Sequence, residues 1–143
     1  MRILGIESSC DETSAAVVSG TATASRMESL VILSQDVDRI FGGVVPESAS
    51  REHLTAVVPV TRQALADAKC ELGDIEAIAV THAPGLVGAL LVGVSYAKAL
   101  AHALDIPVLG VHHMEGHIFA TALEHPTATP PFTALLVSGG HTM

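Results

Sequence analysis

A chain of 143 residues, 49% of them hydrophobic but with no Trp, one Tyr and three Phe, has room for one domain whose core is built from Ala, Val, Leu and Ile. Its 15 acidic against 7 basic side chains give a net charge of −8 at pH 7, which repels a phosphate backbone and argues against autonomous nucleic-acid binding. The start, Met1-Arg2-Ile3-Leu4-Gly5-Ile6-Glu7, has too short an apolar run for a signal peptide, and Cys10 and Cys70 fit no metal or redox spacing, so they read as reduced thiols of a soluble cytoplasmic protein.

Arg2 to Glu7 reads as a buried strand that stops at the polar turn Glu7-Ser8-Ser9-Cys10-Asp11-Glu12-Thr13-Ser14. Ala15 to Ser19 returns as a second strand, which makes a hairpin. A turn loaded with hydroxyls can meet phosphates through its N–H groups, and carboxylates beside phosphates, here Asp11 and Glu12, imply a metal or base role. The same residue types also suit a solvated hairpin turn. Ser29 to Ser34 is a third strand, and Gly42-Gly43-Val44-Val45-Pro46-Glu47 is a loop with Pro46 placed for the first turn of a helix.

Leu54, Val57, Val58, Thr61, Leu65 and Ala68 recur at helical spacing, and Pro59 should kink that helix or divide it. Arg51 and His53, near its start, read as a solvent-facing first turn. Ile75 to Thr81 is another strand. It runs through His82-Ala83-Pro84-Gly85-Leu86-Val87-Gly88 into a helix over Ala89 to Leu104. A strand–glycine loop–helix junction is a usual place for anion recognition, but this one lacks the phosphate-loop lysine and the dinucleotide glycine spacing. Gly88 and Gly93 could equally serve close helix packing, the role that best suits Gly93. The apolar stretch Ala83 to Leu100, which contains Pro84, Ser95, Tyr96 and Lys98, reads as a loop and buried helix rather than a membrane span.

Ile106 to Val111 is a short strand, followed by a helix from about Met114 to Leu123. Glu124 to Pro131 is a linker, Phe132 to Val137 begins a new strand, and Ser138-Gly139-Gly140-His141-Thr142 is a second hydroxyl- and glycine-rich turn. The most concentrated chemistry lies in Val111-His112-His113-Met114-Glu115-Gly116-His117. On a helix His113 and His117 stand one turn apart on one face, the spacing at which two imidazoles can hold one metal ion. Glu115 sits roughly 200° around the helix from His113, unlike the general base of an H-E-x-x-H protease. Two histidines do not complete a metal site, and ordinary histidines on an amphipathic helix would show the same spacing.

Five segments taken together resemble one family. Glu7-Ser8-Ser9-Cys10-Asp11-Glu12-Thr13-Ser14, Gly42-Gly43-Val44-Val45-Pro46-Glu47, Pro84-Gly85-Leu86-Val87-Gly88-Ala89-Leu90-Leu91-Val92-Gly93, His112-His113-Met114-Glu115-Gly116-His117 and Leu136-Val137-Ser138-Gly139-Gly140-His141-Thr142 occur in the order of the bacterial TsaD family, formerly called O-sialoglycoprotein endopeptidase. The resemblance implies an α/β, sugar-kinase/Hsp70/actin-like fold with a mixed sheet and flanking helices. Residues 1–125 would be its N-terminal lobe, and 126–143 a linker plus the first strand of a second lobe. It implies transfer of threonylcarbamoyl from threonylcarbamoyl-adenylate to N6 of the adenosine beside the anticodon, in tRNAs that read codons beginning with A.

By the same resemblance His113 and His117 are ligands of one divalent metal, iron(II) or zinc, which would polarise the threonylcarbamoyl group. Asp11 and Glu12 match positions implicated in activity. Leu136, Val137, Ser138, Gly139 and Gly140 match the segment that contacts the adenylate. Arg51 and His53 match a family motif to which no role is assigned. The implied partners are a TsaB-like paralogue and a TsaE-like ATPase, with tRNA met through the full complex and no membrane. A third ligand, an aspartate, lies near the family's C-terminus, beyond this chain. In the archaeal and eukaryotic branch a tyrosine at the position of Leu136 approaches the metal, which leucine cannot do. The chain is therefore expected to be inactive alone. Two other readings stand beside this one: a non-catalytic lobe that binds a partner or forms a homodimer, and a metalloprotease, against which the position of Glu115 argues.

Overall fold

Three strands open the chain as an antiparallel meander: β1 (Arg2–Glu7), β2 (Glu12–Gly20) and β3 (Ser25–Ser34). The computed structural model describes residues 1–21, 24–34, 46–125, 127 and 130–137. Two further strands, β4 (Ala77–Ala83) and β5 (Val108–His112), extend the sheet in parallel from the other side of β1, giving the order β3-β2-β1-β4-β5. The sheet is mixed because the hairpin needs only a tight turn, whereas each parallel neighbour follows a helical crossover. Helix α1 (Pro46–Asp67) precedes β4, and α2 (Val87–Leu104) carries the chain from β4 to β5.

Period-two alternation sets the core. Leu4 and Ile6 of β1, Thr13, Ala15 and Val17 of β2, and Ile78 and Val80 of β4 are buried beneath the helices. Helix α1 lies over β2 and β3, and α2 over β4 and β1. Helix α2 buries Ala89, Gly93, Ala97 and Ala101, a stripe of small side chains that lets it approach the sheet closely. By length and composition α2 is also long and apolar enough to cross a membrane. A third helix, α3 (His113–Glu124), follows β5 directly and buries only Met114.

Several expectations need correction. Strand β2 begins at Glu12, not Ala15, because Glu12, Thr13 and Ser14 pair with Ser34, Leu33 and Ile32; the turn shrinks to Ser8–Asp11. Helix α1 runs unbroken through Pro59, which is exposed, so the carbonyl that loses its helical partner lies on the water side. The face of α1 that meets the sheet is also rotated from the one expected. His53, Ala56, Val57, Val60, Thr61, Ala64 and Leu65 are buried, whereas Leu54 is 65% exposed and Val58 is exposed too. Spacing misled because the buried face mixes Val57, Val60 and Leu65 with His53, Ala56, Thr61 and Ala64, which hydrophobicity alone does not mark as core. His53 is therefore not solvent-facing but fully buried. Residues 132–136 form no strand, and Val137 is a lone bridge; the run is exposed, with Leu135 at 80%, and no strand among the described residues pairs along it to satisfy its backbone. The expected loop Gly42-Gly43-Val44-Val45 lies outside the described residues. Neither Cys10 nor Cys70 forms a disulfide.

Candidate metal centre

The turn Ser8–Asp11 joins β1 to β2 and is clamped from three sides. Ser8, fully buried, donates its hydroxyl to the Ala89 carbonyl at 2.9 Å, and the Leu86 N–H donates to the Ser9 carbonyl at 2.8 Å. Gly85 lies so near this turn that a Cβ there would stand 2.6 Å from the Ser9 carbonyl oxygen, and a Cβ on Gly93 would overlap the Ser8 hydroxyl. Gly93 thus serves helix packing, as its spacing suggested. From α1, His53 reaches the turn with both ring nitrogens engaged. Nε2 lies 2.9 Å from the Cys10 carbonyl and Nδ1 lies 2.7 Å from the Thr13 hydroxyl. A carbonyl only accepts, so Nε2 carries the proton and the Thr13 hydroxyl donates to Nδ1. Ser8 and Ser9 thus use their hydroxyls inside the protein, while Cys10 and Asp11 of the same turn stay exposed.

At the carboxyl ends of β1 and β4 a second set of groups converges. The Glu7 carboxylate accepts from the Ser9 N–H and, at 2.5 Å, from the Thr81 hydroxyl. His113, the first residue of α3, places Nδ1 3.3 Å from Glu7 Oε2 and 3.2 Å from Ser9 Oγ. Burial pushes the Glu7 carboxyl up, but the hydrogen bonds from Ser9, Thr81 and His113 outweigh it and hold the group below the ordinary carboxylate range. An ionised Glu7 is an acceptor only, so His113 presents Nδ1–H to it, and in the neutral ring Nε2 then carries the lone pair.

That lone pair faces His117. The two Nε2 atoms are 3.0 Å apart, and the rings meet edge to face with centroids 4.5 Å apart. Either His117 donates a proton to His113, or both rings turn lone pairs to one shared cation. The helical spacing of His113 and His117 thus brings the nitrogens together, and Glu115 lies exposed on the helix between them in sequence. Two imidazoles converging from one helical turn suit zinc or iron(II). Among the described residues no cluster of three metal-ligating side chains forms.

The other expected site residues are placed as follows. Asp11 is exposed on the turn; Glu12 opens β2 and accepts a 2.9 Å hydrogen bond from Ser34 of β3. Leu136 and His117 share a groove of about 300 Å³ between α3 and residues 130–136, which Phe119 and Phe132 also line. Val137 is 67% exposed, and Ser138, Gly139 and Gly140 lie outside the described residues. Glu7, Ser9, Thr81 and His53 were missed as site residues. A signal existed for Glu7 and Thr81: both sit at the carboxyl ends of strands, where α/β sheets place their ligands.

The model of the family "TsaD: tRNA N6-adenosine threonylcarbamoyltransferase" matches residues 26–143. A tRNA N6-adenosine threonylcarbamoyltransferase of Gemmatimonas aurantiaca is 70% identical over 143 residues, covering 100% of this chain and 40% of that protein. The protein so named in Syntrophotalea carbinolica is 60% identical over 143 residues, covering 99% of this chain and 41% of that one. The chain thus spans about 40% of the length of the curated relatives it matches. Among solved structures, YeaZ from Pseudomonas aeruginosa is similar with a TM-score of 0.63 at 20% identity, over 90% of this chain and 52% of that one. This likeness bears on the fold alone and agrees with a mixed α/β sheet of the sugar-kinase/Hsp70/actin-like kind. With a family model covering most of its length, the chain belongs to the TsaD family.

Proposed function

We propose that the chain is the N-terminal portion of an enzyme that moves threonylcarbamoyl from threonylcarbamoyl-adenylate to N6 of the adenosine beside the anticodon. The tRNAs concerned are those reading codons that begin with A. The observation that carries this reading is the convergence of His113 and His117 at 3.0 Å on a carboxylate-anchored helix start, in a member of the TsaD family. Residues 1–125 form the N-terminal lobe, and 126–143 a linker and the opening of the next lobe. His113 and His117 hold one divalent metal, iron(II) or zinc. When bound, such an ion supplies Lewis-acid polarisation of a carbonyl. Asp11 acts from the clamped turn and Glu12 from the start of β2, and Leu136 to Gly140 line the adenylate side, where Leu136 already shares a groove with His117.

The lobe acts in the cytoplasm with a TsaB-like paralogue and a TsaE-like ATPase, and it meets tRNA through that assembly. With two ligands of the metal site in hand, the isolated chain transfers nothing by itself. Titration of zinc and iron(II) into the chain by calorimetry tests the site. Binding is expected in the parent and absent in a His113→Ala/His117→Ala variant. A stable analogue of threonylcarbamoyl-adenylate should then bind the metal-loaded chain more tightly than AMP does. Equal affinity for both would sink the substrate assignment.

A second reading is favoured by the apolar side chains left outside. Leu91, Leu109 and Phe119 are each about 60% exposed, which suits a lobe that docks on another protein or on itself. Light scattering on the eluting chain decides this. A monomer that ignores the TsaB-like paralogue would remove it.

A further inference from the structure

Glu7 is named in no expected site, yet it is the group that touches His113 from the side opposite His117. We propose that Glu7 is a positioning residue for the metal half-site, fixing His113 in the tautomer whose Nε2 is a free ligand. The inference rests on the reading of His113 and His117 as ligands and deepens it. Imidazole ligands are commonly oriented by a carboxylate on the remote nitrogen, which also raises their basicity. Here the carboxylate belongs to the central strand of the sheet, and its own orientation is set by two donors. The Ser9 N–H binds Oε1, and the Thr81 hydroxyl binds Oε2 at 2.5 Å. The carboxylate is therefore held from β1, β4 and the turn before His113 arrives at 3.3 Å.

This donor pattern makes Glu7→Gln informative. The substituted amide has the same shape as the carboxylate but must place an NH₂ where one oxygen stood. At Oε1 it would confront the Ser9 backbone N–H, which cannot turn away. At Oε2 it meets the Thr81 hydroxyl, which can rotate, and His113 Nδ1. The NH₂ therefore takes the Oε2 place and donates to Nδ1. His113 then carries its proton on Nε2, facing His117, where no metal can use it. Ser9 Oγ, 3.2 Å from Nδ1, can rotate to support the same reversal.

The test is a pair of measurements on the 143-residue chain. Long-range ¹H–¹⁵N correlation spectra of the imidazoles, recorded without metal, report the tautomer, and zinc titration by calorimetry reports affinity. The parent is expected to show His113 as Nδ1–H and Glu7→Gln as Nε2–H, with zinc affinity falling roughly 10- to 100-fold. A parent His113 already in the Nε2–H form overturns the proposal with no variant needed. So does a Glu7→Gln chain, folded by its amide spectrum, that keeps both the Nδ1–H tautomer and parental zinc affinity. A parent with the Nδ1–H tautomer that binds no zinc overturns the metal reading instead, and leaves the orientation of His113 by Glu7 standing.

Discussion

Thr13 and His53 stand forty positions apart in the chain, yet they share a 2.7 Å hydrogen bond at which both side chains are buried. The hydroxyl donates to Nδ1, and the opposite nitrogen holds the Cys10 carbonyl, so one ring ties α1 to β2 and to the turn. Thr13→Val keeps the shape but leaves Nδ1 without its donor, and should lower the unfolding free energy by on the order of 1–3 kcal/mol. His53→Ala should cost at least as much, because it removes both the bond to the Thr13 hydroxyl and the bond to the Cys10 carbonyl. In a urea double-mutant cycle the two losses should be far from additive. Additive losses would show that the bond contributes nothing to stability.

Gly93→Ala reverses the usual helix rule. In an open helix the change gains about 1 kcal/mol. Here the new methyl would overlap the buried Ser8 hydroxyl, with the Ser8 Cβ at an ordinary 3.4 Å, so a net loss of roughly 1–3 kcal/mol is expected. In a Ser8→Ala background the overlap disappears and the loss should shrink or vanish. Thermal or urea unfolding of the four proteins checks both statements.

Pro59 sits inside an unbroken α1, on its exposed side. An interior proline costs a helix about 3 kcal/mol, of which about 1 kcal/mol returns through a stiffer unfolded chain. Pro59→Ala should therefore raise the unfolding free energy by roughly 2 kcal/mol. A loss of stability on this substitution would mean that α1 is shaped around the proline.

The Ser19 hydroxyl and the Arg2 guanidinium, 3.0 Å away, hold the Glu28 carboxyl below its ordinary value of 4.5. The folded protein thus holds the carboxylate more tightly ionised than the unfolded chain does. Its contribution is present in full above that ordinary value and is lost as pH falls through the lower folded value. Parent and Glu28→Gln chains should differ in urea stability by a constant amount near neutral pH. The gap should close only in acid below 4.5. A gap that closes above that value would contradict the lowered carboxyl.

Much of this was legible in the residues. Arg2–Glu7 was read to its ends, since a buried strand stopped by polar residues carries its limits in its composition. The α3 pairing of His113 with His117 followed from helical spacing alone, because that contact is local. What spacing does not carry is contact between distant segments. His53 looked like a surface residue because nothing near it in sequence shows that Thr13 and Cys10 will close over it. Glu7 looked like the end of a strand, and only the parallel pairing of β1 with β4 brings Thr81 beside it and α3 above it. The expected strand after Phe132 failed for a related reason: an apolar run is a strand only where another strand accepts its hydrogen bonds.

The central place of β1 in the sheet has a consequence for synthesis. Leaving the ribosome ahead of its neighbours, β1 can zip with β2 and β3 once Ser34 is made, but its other edge waits for β4, whose last residue is Ala83. The clamp on the turn then closes as α2 follows, and His113 and His117 are translated only afterwards. The anchor of Glu7, Ser9 and Thr81 therefore comes entirely from segments that precede His113 and His117 in the chain, and the helix that carries the histidines packs onto it.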